Sequence, residues 1–175
     1  IEKIRKDSKP LKTSYNVRYG IKTGNNNKYL SKINEGSENW KLCVSSASGV
    51  KRYSLNWEGD FLNFGNHLAG FSNNSFERKK ILIQYIRKLS MERRIVSALD
   101  KDGKYYPLNN FSFVEEISEE NSVEYVQGIL NSNLMNFYFK NIHIDYNIKP
   151  KYIEKLPLKF ENILKKRKCL IFLFI

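Results

Sequence analysis

Two groups of side chains in this chain have types and spacings that could do chemistry. The first is cationic and amide-bearing. Lys79, Lys80, Arg87, Lys88, Arg93 and Arg94 punctuate the stretch around Ile81 to Val114, and Lys22, Lys51 and Arg52 precede them. Such cations neutralise phosphates, and roughly 6–10 contacts of that kind make binding to duplex DNA steeply salt-dependent. Asn25, Asn26, Asn109 and Asn110 carry the planar donor–acceptor pair that matches an adenine edge, Arg52 the fork that matches guanine, and Thr23 a hydroxyl beside them. The second group is Asp60 with Glu77-Arg-Lys79, which imitates the Asp…Glu-x-Lys core of a Mg²⁺-dependent nuclease, two carboxylates for the metal and a lysine beside the water.

Each residue also has a plainer role. Asn in a loop does turn chemistry, because its side chain bonds its own backbone. Basic residues flanking strands keep apolar runs soluble, and a Glu-x-Lys triplet is common in a charged chain. Lys51 and Arg52 are neighbours on an apparent strand and should point to opposite faces. Tyr53 and Trp57 read as core rings rather than base-stacking ones. Cys43 and Cys169 form no CxxC pair, and His67 and His143 are the only histidines, so a zinc site has no support.

The elements that must position these residues follow from periodicity. Tyr15 to Ile21 alternates as a strand does, and Lys22 to Asn27 is a turn. Trp40 to Val44 and Val50 to Tyr53 are strand candidates, and Glu58-Gly59 reads as the centre of a hairpin leading into Phe61 to Phe64. Asn66 to Ser75 is a Gly/Ser/Asn loop. A β-rich block then runs from Ile81 to Val114, with Asp100-Lys-Asp-Gly103 as a hairpin turn. After it the period changes. Asn121-Ser-Val-Glu124 fits a capping box. Val123, Val126, Leu130, Leu134 and Phe137 fall at helical spacing, which predicts one helix over 122–140. Residues 149–157 read as extended, because each of Pro150 and Pro157 disfavours helix in the residue before it.

Length and composition bound the answer. With 175 residues, 41% apolar residues and 11 Tyr, 11 Phe and 2 Trp, the chain can bury a real core. The expected class is mixed α+β, a β-rich domain followed by an amphipathic helix. A net charge of +12 and a pI near 9.6 point to a polyanion. Ile1 in place of Met reads as a piece of a longer protein. Ile1 to Thr13 lacks the pattern of a signal peptide, and the apolar run after Lys168 is too short to span a bilayer, so a cytoplasmic protein without membrane partners is expected.

Four segments, in order, resemble a known family. Tyr19-Gly-Ile-Lys-Thr-Gly-Asn-Asn-Asn27 is similar to its opening turn, and Val50-Lys-Arg-Tyr53 with Trp57 to its "IKRY…W" element. Lys80-Ile-Leu-Ile-Gln84 through Ala98-Leu-Asp100 and Leu108-Asn-Asn110 resembles its central β-block. Tyr125-Val-Gln-Gly-Ile-Leu-Asn-Ser-Asn-Leu-Met-Asn-Phe-Tyr138, then Ile153-Glu-Lys-Leu-Pro157, resembles its "LLGLLNSKLLNFYY…LPLP" helix and exit. The chain is thereby identified as a member of the TaqI-like C-terminal specificity domains of adenine-N6 DNA methyltransferases and fused type II restriction enzymes, related in organisation to type I specificity subunits.

The resemblance covers residues 14–160, leaving 1–13 as a linker or the end of an upstream region and 161–175 as a basic and apolar tail. It implies recognition of a short duplex sequence on behalf of a methyltransferase or nuclease domain in the same polypeptide or complex. S-adenosylmethionine would belong to that upstream domain, with no cofactor here. Ser45-Ser-Ala-Ser-Gly49 stands where the family carries an Arg-rich "RGRD", so a contact made there by arginine would be missing. The family's methyltransferases use an Asn/Asp-Pro-Pro-Tyr/Phe loop, whereas Pro10, Pro107, Pro150 and Pro157 never pair. A nucleic-acid role requires the cations to share one surface and the arginines of the β-block not to be buried against acids. A protein-interaction module, resting on the amphipathic helix, is the third reading.

Overall fold

In a computed structural model, residues 1–69, 76–117 and 122–159 are described. In chain order the strands are β1 (Lys9–Pro10), β2 (Tyr15–Tyr19), β3 (Leu30–Ser31), β4 (Trp40–Val44), β5 (Val50–Lys51), β6 (Ser54–Leu55), β7 (Asp60–Asn63), β8 (Lys80–Gln84), β9 (Ser97–Asp100), β10 (Tyr106–Pro107), β11 (Phe111–Glu116) and β12 (Pro157–Leu158). The helices are α1 (Glu2–Arg5), α2 (Asn26–Tyr29), α3 (Val123–Leu130), α4 (Asn133–Ile142) and α5 (Pro150–Ile153). The class is mixed α+β and β-rich. A central antiparallel sheet has the order β2-β11-β8-β9, and a second sheet has the order β10-β4-β7-β3.

Every residue of β8 is buried because both faces of the central sheet are covered, which is why its sequence is continuously apolar rather than alternating. Ile81 and Ile83 pack on one side with Val126, Leu130 and Met135 of the helix pair. Leu82 points the other way, into a core with Cys43, Leu62 and Phe113 that joins the two sheets. Full burial of one such side chain contributes roughly 1.5–3 kcal/mol.

Register decides where the loops gather. Ser112 of β11 pairs with both Tyr19 and Ile83, and Ile83 pairs with Ser97. Tyr19, Ser112, Ile83 and Ser97 therefore stand in one row, with Phe111 and Gln84 paired one step beyond it. The segments that follow β2, precede β11 and connect β8 to β9 all leave from the same end of the sheet.

The single helix expected over 122–140 is two. Ser132 accepts from Met135 N at 3.0 Å as the N-cap of α4 while its hydroxyl donates to Ile129 O at 2.7 Å, so α3 ends and α4 begins at Asn131-Ser132. The break shifts the apolar stripe. Met135, Tyr138 and Phe139 take up the core positions, and Leu134 and Phe137, expected in it, are exposed. Ser122, not Asn121, caps α3 by accepting from Tyr125 N; Asn121 lies outside the described residues.

Two asparagines of this pair bond β9 and its approach as a neighbouring strand would. Ser97 N donates to Asn131 Oδ1 (3.0 Å) and Asn131 Nδ2 donates back to Ser97 O (2.9 Å). Ile95 N and O are matched in the same way by Asn136, at 2.8 and 3.3 Å.

Three turns differ from expectation. Asp100 to Gly103 is no hairpin, because the Asp100 carboxylate accepts from Lys104 N and Tyr105 N and steers the chain into β10, which pairs parallel with β4. Gly103 is required there: its φ is +67°, and a Cβ would sit 2.3 Å from Glu77 O. Glu58-Gly59 turns between strands with different partners, β6 with β5 and β7 with β3 and β4. Residues 149–157 are not fully extended either. Pro150 opens α5, where its lack of an N–H leaves nothing unsatisfied. The Lys165-Lys-Arg-Lys168 segment lies outside the described residues, as does most of the Asn66 to Ser75 loop.

Candidate nucleic-acid interface

Lys79 and Lys80 stand at the far end of β8, away from the gathered loops. Lys80 is fully buried (0% exposed); its Nζ donates to Asp100 Oδ2 and to Phe76 O, each at 2.5 Å. Burial pushes its pKa below lysine's ordinary value, against the opposing pull of Asp100. It is a core ion pair. Lys79 pairs with Glu124, and Glu77 accepts from the Tyr106 hydroxyl (2.7 Å) and Lys41 (3.4 Å). Asp60 is held by Ser45 (2.6 Å) and Lys32 (2.9 Å). The three members of the nuclease constellation, Asp60, Glu77 and Lys79, thus have separate partners, and no three His, Cys, Asp or Glu side chains are grouped to hold a metal ion among the described residues.

The remaining candidates leave from the other end. Lys22 and Asn109 are exposed and adjacent, since Asn109 N donates to Ile21 O at 2.9 Å. Asn25 and Asn26 do the turn chemistry expected of loop asparagines. Asn25 caps α2 by accepting from Lys28 N, and Asn26 accepts from the buried Thr23 hydroxyl. Thr23 is therefore a strut rather than a contact. Asn110 donates to Ser45 O at 2.7 Å and ties the two sheets, with its Oδ1 buried and unbonded.

Lys51 and Arg52 sit in the β5–β6 turn. The strand ends at Lys51, so both side chains reach solvent instead of splitting between faces. Tyr53, expected in the core, is 49% exposed at a φ of +69°, with the Arg52 guanidinium 4.8 Å from its ring centroid. Tyr53 N donates to Ser97 O at 3.0 Å, which fixes this turn beside the same sheet end. Trp57 is half-buried, donating from Nε1 to Asp60 O at 2.7 Å.

The arginines between β8 and β9 meet uncharged acceptors. Arg87 donates to Gln84 Oε1 (2.9 Å) and Arg93 O (2.5 Å), and burial followed by repulsion from Arg94 pushes its pKa below arginine's ordinary value. Arg93 donates to Asn131 O (3.2 Å) and Asn133 Oδ1 (2.5 Å), while Arg52 Nε donates to the same Asn131 O at 3.3 Å. Two guanidiniums thus converge on the carbonyl end of α3, where the helix dipole favours them. Lys88 is exposed. Arg94 is not part of this surface. It is 1% exposed and donates to the carbonyls of His143 and Asp145. The β-block's arginines are therefore held by carbonyls and amides, not acids. No ion pair joins Lys22, Lys51, Arg52, Arg87, Lys88 or Arg93 to an acid among the described residues. Glu92 is the one acid from Tyr85 to Val96.

Gln84 and Asn131 organise this end and were not singled out from the sequence. Gln84 Nε2 donates to Ala47 O (2.8 Å) and Val50 O (2.6 Å), anchoring the turn that carries Lys51 and Arg52. The signal for Asn131 was present in Asn131-Ser-Asn133, a polar break inside an apolar stripe.

No helix among the described residues is long and apolar enough to cross a membrane. No curated protein matches the chain. The family model of the TaqI-like C-terminal specificity domain matches residues 46–158, more than half of the chain, including β5 to β12 and both helices of the pair.

Proposed function

Since the chain belongs to the TaqI-like C-terminal specificity domain family, the DNA-recognition modules of restriction-modification enzymes, we propose that it reads a short duplex sequence and positions it for adenine-N6 methylation by a domain outside these residues. That domain, in the same polypeptide or complex, would bring S-adenosylmethionine and the catalytic loop. The observation that carries this reading is the un-neutralised charge at the Gln84 end of the central sheet. Arg52, Arg87 and Arg93 hold their charge among neutral oxygens, and Lys22, Lys51 and Lys88 are exposed beside them. In this reading the lysines supply phosphate contacts that set affinity and register, and Arg52 and Asn109 read base edges. The buried Lys80, Arg94 and Thr23 leave the contact set.

Fluorescence anisotropy with labelled duplex over a salt series tests it. Affinity should fall linearly on a log–log plot, with a slope of about −0.9 per phosphate contact. Binding that ignores salt, or no binding, would instead favour a protein-interaction role.

A further inference from the structure

Beside the cationic end, four large apolar side chains stand in solvent: Ile86 (60% exposed), Leu89 (43%), Ile144 (82%) and Tyr146 (60%). They belong to two loops stitched into a short ribbon. Ile148 N donates to Tyr85 O (2.6 Å), Arg87 N donates to Tyr146 O (3.1 Å), and Ile86 and Asn147 pair as an isolated antiparallel bridge. Residues 146–148 thereby continue the bonding of β8 past Asn110, whose carbonyl takes Tyr85 N at 3.0 Å. From beneath, Arg94 grips the carbonyls of His143 and Asp145. The ribbon is held at both arms, so its apolar side chains are presented rather than left in a loose loop.

Those side chains are interleaved with Arg87, Lys88 and Lys149, the last paired with Asp145. A purely apolar partner would have to bury uncompensated cations, which is costly. Duplex DNA offers phosphates to the cations and, within its grooves, thymine methyls and base faces to the apolar groups. We infer that Ile86, Ile144 and Tyr146 enter a groove of the bound duplex and make apolar contact with its bases, so that the ribbon sets part of the base preference. This rests on the DNA reading above.

The test uses the full 175-residue chain and a random duplex library, with bound sequences counted for wild type, Ile144→Ser, Tyr146→Ser and the double variant. Preference should drop roughly 5- to 10-fold at one or two adjacent base pairs, while the salt slope stays that of wild type. Ile144→Leu and Tyr146→Phe should retain the preference, and the exposure of both positions keeps thermal melts unchanged. At the affected pairs, deoxyuridine in place of thymidine reports a methyl contact by a matching loss. 2-Aminopurine reports an opened step by brighter fluorescence with wild type alone. Wild-type preferences in the serine variants, a changed salt slope, or silence in both base-analogue arms would overturn the inference while leaving DNA binding intact. A wild-type chain that binds no duplex would remove the DNA reading itself, and this inference with it.

Discussion

At the Lys80 end of the central sheet three cations meet carboxylates: Lys80 with Asp100, Lys79 with Glu124, Lys41 with Glu77. Roughly 14 Å along β8, Arg52, Arg87 and Arg93 are held just as firmly, but by carbonyl and amide oxygens. Hydrogen bonding orders the side chains at both ends. Only at the first is the charge cancelled. A net charge of +12 is therefore a poor guide to a binding surface until the partner of each cation is known.

The comparison can be broken most decisively at Lys80. Lys80→Met leaves the Asp100 carboxylate buried without its partner and should cost about 3–5 kcal/mol of stability in urea denaturation. A stable variant with an altered salt slope for DNA would reverse the assignment of the two ends. Arg94→Ala should lower stability by about 1.5–3 kcal/mol, because two backbone carbonyls lose a charged donor. It should leave the salt slope alone, which separates Arg94 from the arginines around it. Lys51→Ala with Lys88→Ala sharpens the contrast from the other side. The salt slope should become shallower by about 2, with stability moving by no more than about 0.5 kcal/mol.

The smallest effect is a response to pH. The Tyr106 hydroxyl, then Lys41, hold the Glu77 carboxyl below its ordinary value of 4.5, and Lys79 does the same for Glu124. Both groups are depressed in the folded state, so what they contribute is fully present above 4.5. It is lost as pH falls through their lowered folded values. Protection of the amides around Lys79 against exchange, taken relative to the intrinsic rate at each pH, should fall over that window. Around Arg93 it should not, because the acceptors there do not titrate.

Much of the fold was legible in the chain. The alternation of Tyr15 to Tyr19 and the continuous apolar run of β8 mark an edge strand and a strand buried on both faces. The fate of each cation was not. Lys80 looks like a solubilising flank until the register sets it opposite Asp100, twenty residues later, and nothing local carries that pairing. Arg93 and Arg94 are adjacent and chemically identical, yet one reaches Asn133 and the other is enclosed by the 143–145 loop. Periodicity also overran the break at Asn131. An average over residues 122–140 cannot see that one serine hydroxyl and one amide end a helix and start the next, and so it placed Leu134 and Phe137 inside.

The way Asn131 and Asn136 engage Ser97 and Ile95 has a further consequence. A strand at the rim of a sheet normally offers a vacant ladder on which a second molecule can add its own backbone, the first step of strand exchange and fibre growth. Here side-chain amides occupy those rungs and the helix pair bars the approach. Self-polymerisation through the Ile95 to Ser97 stretch of that rim is opposed by two residues that lie outside the sheet altogether.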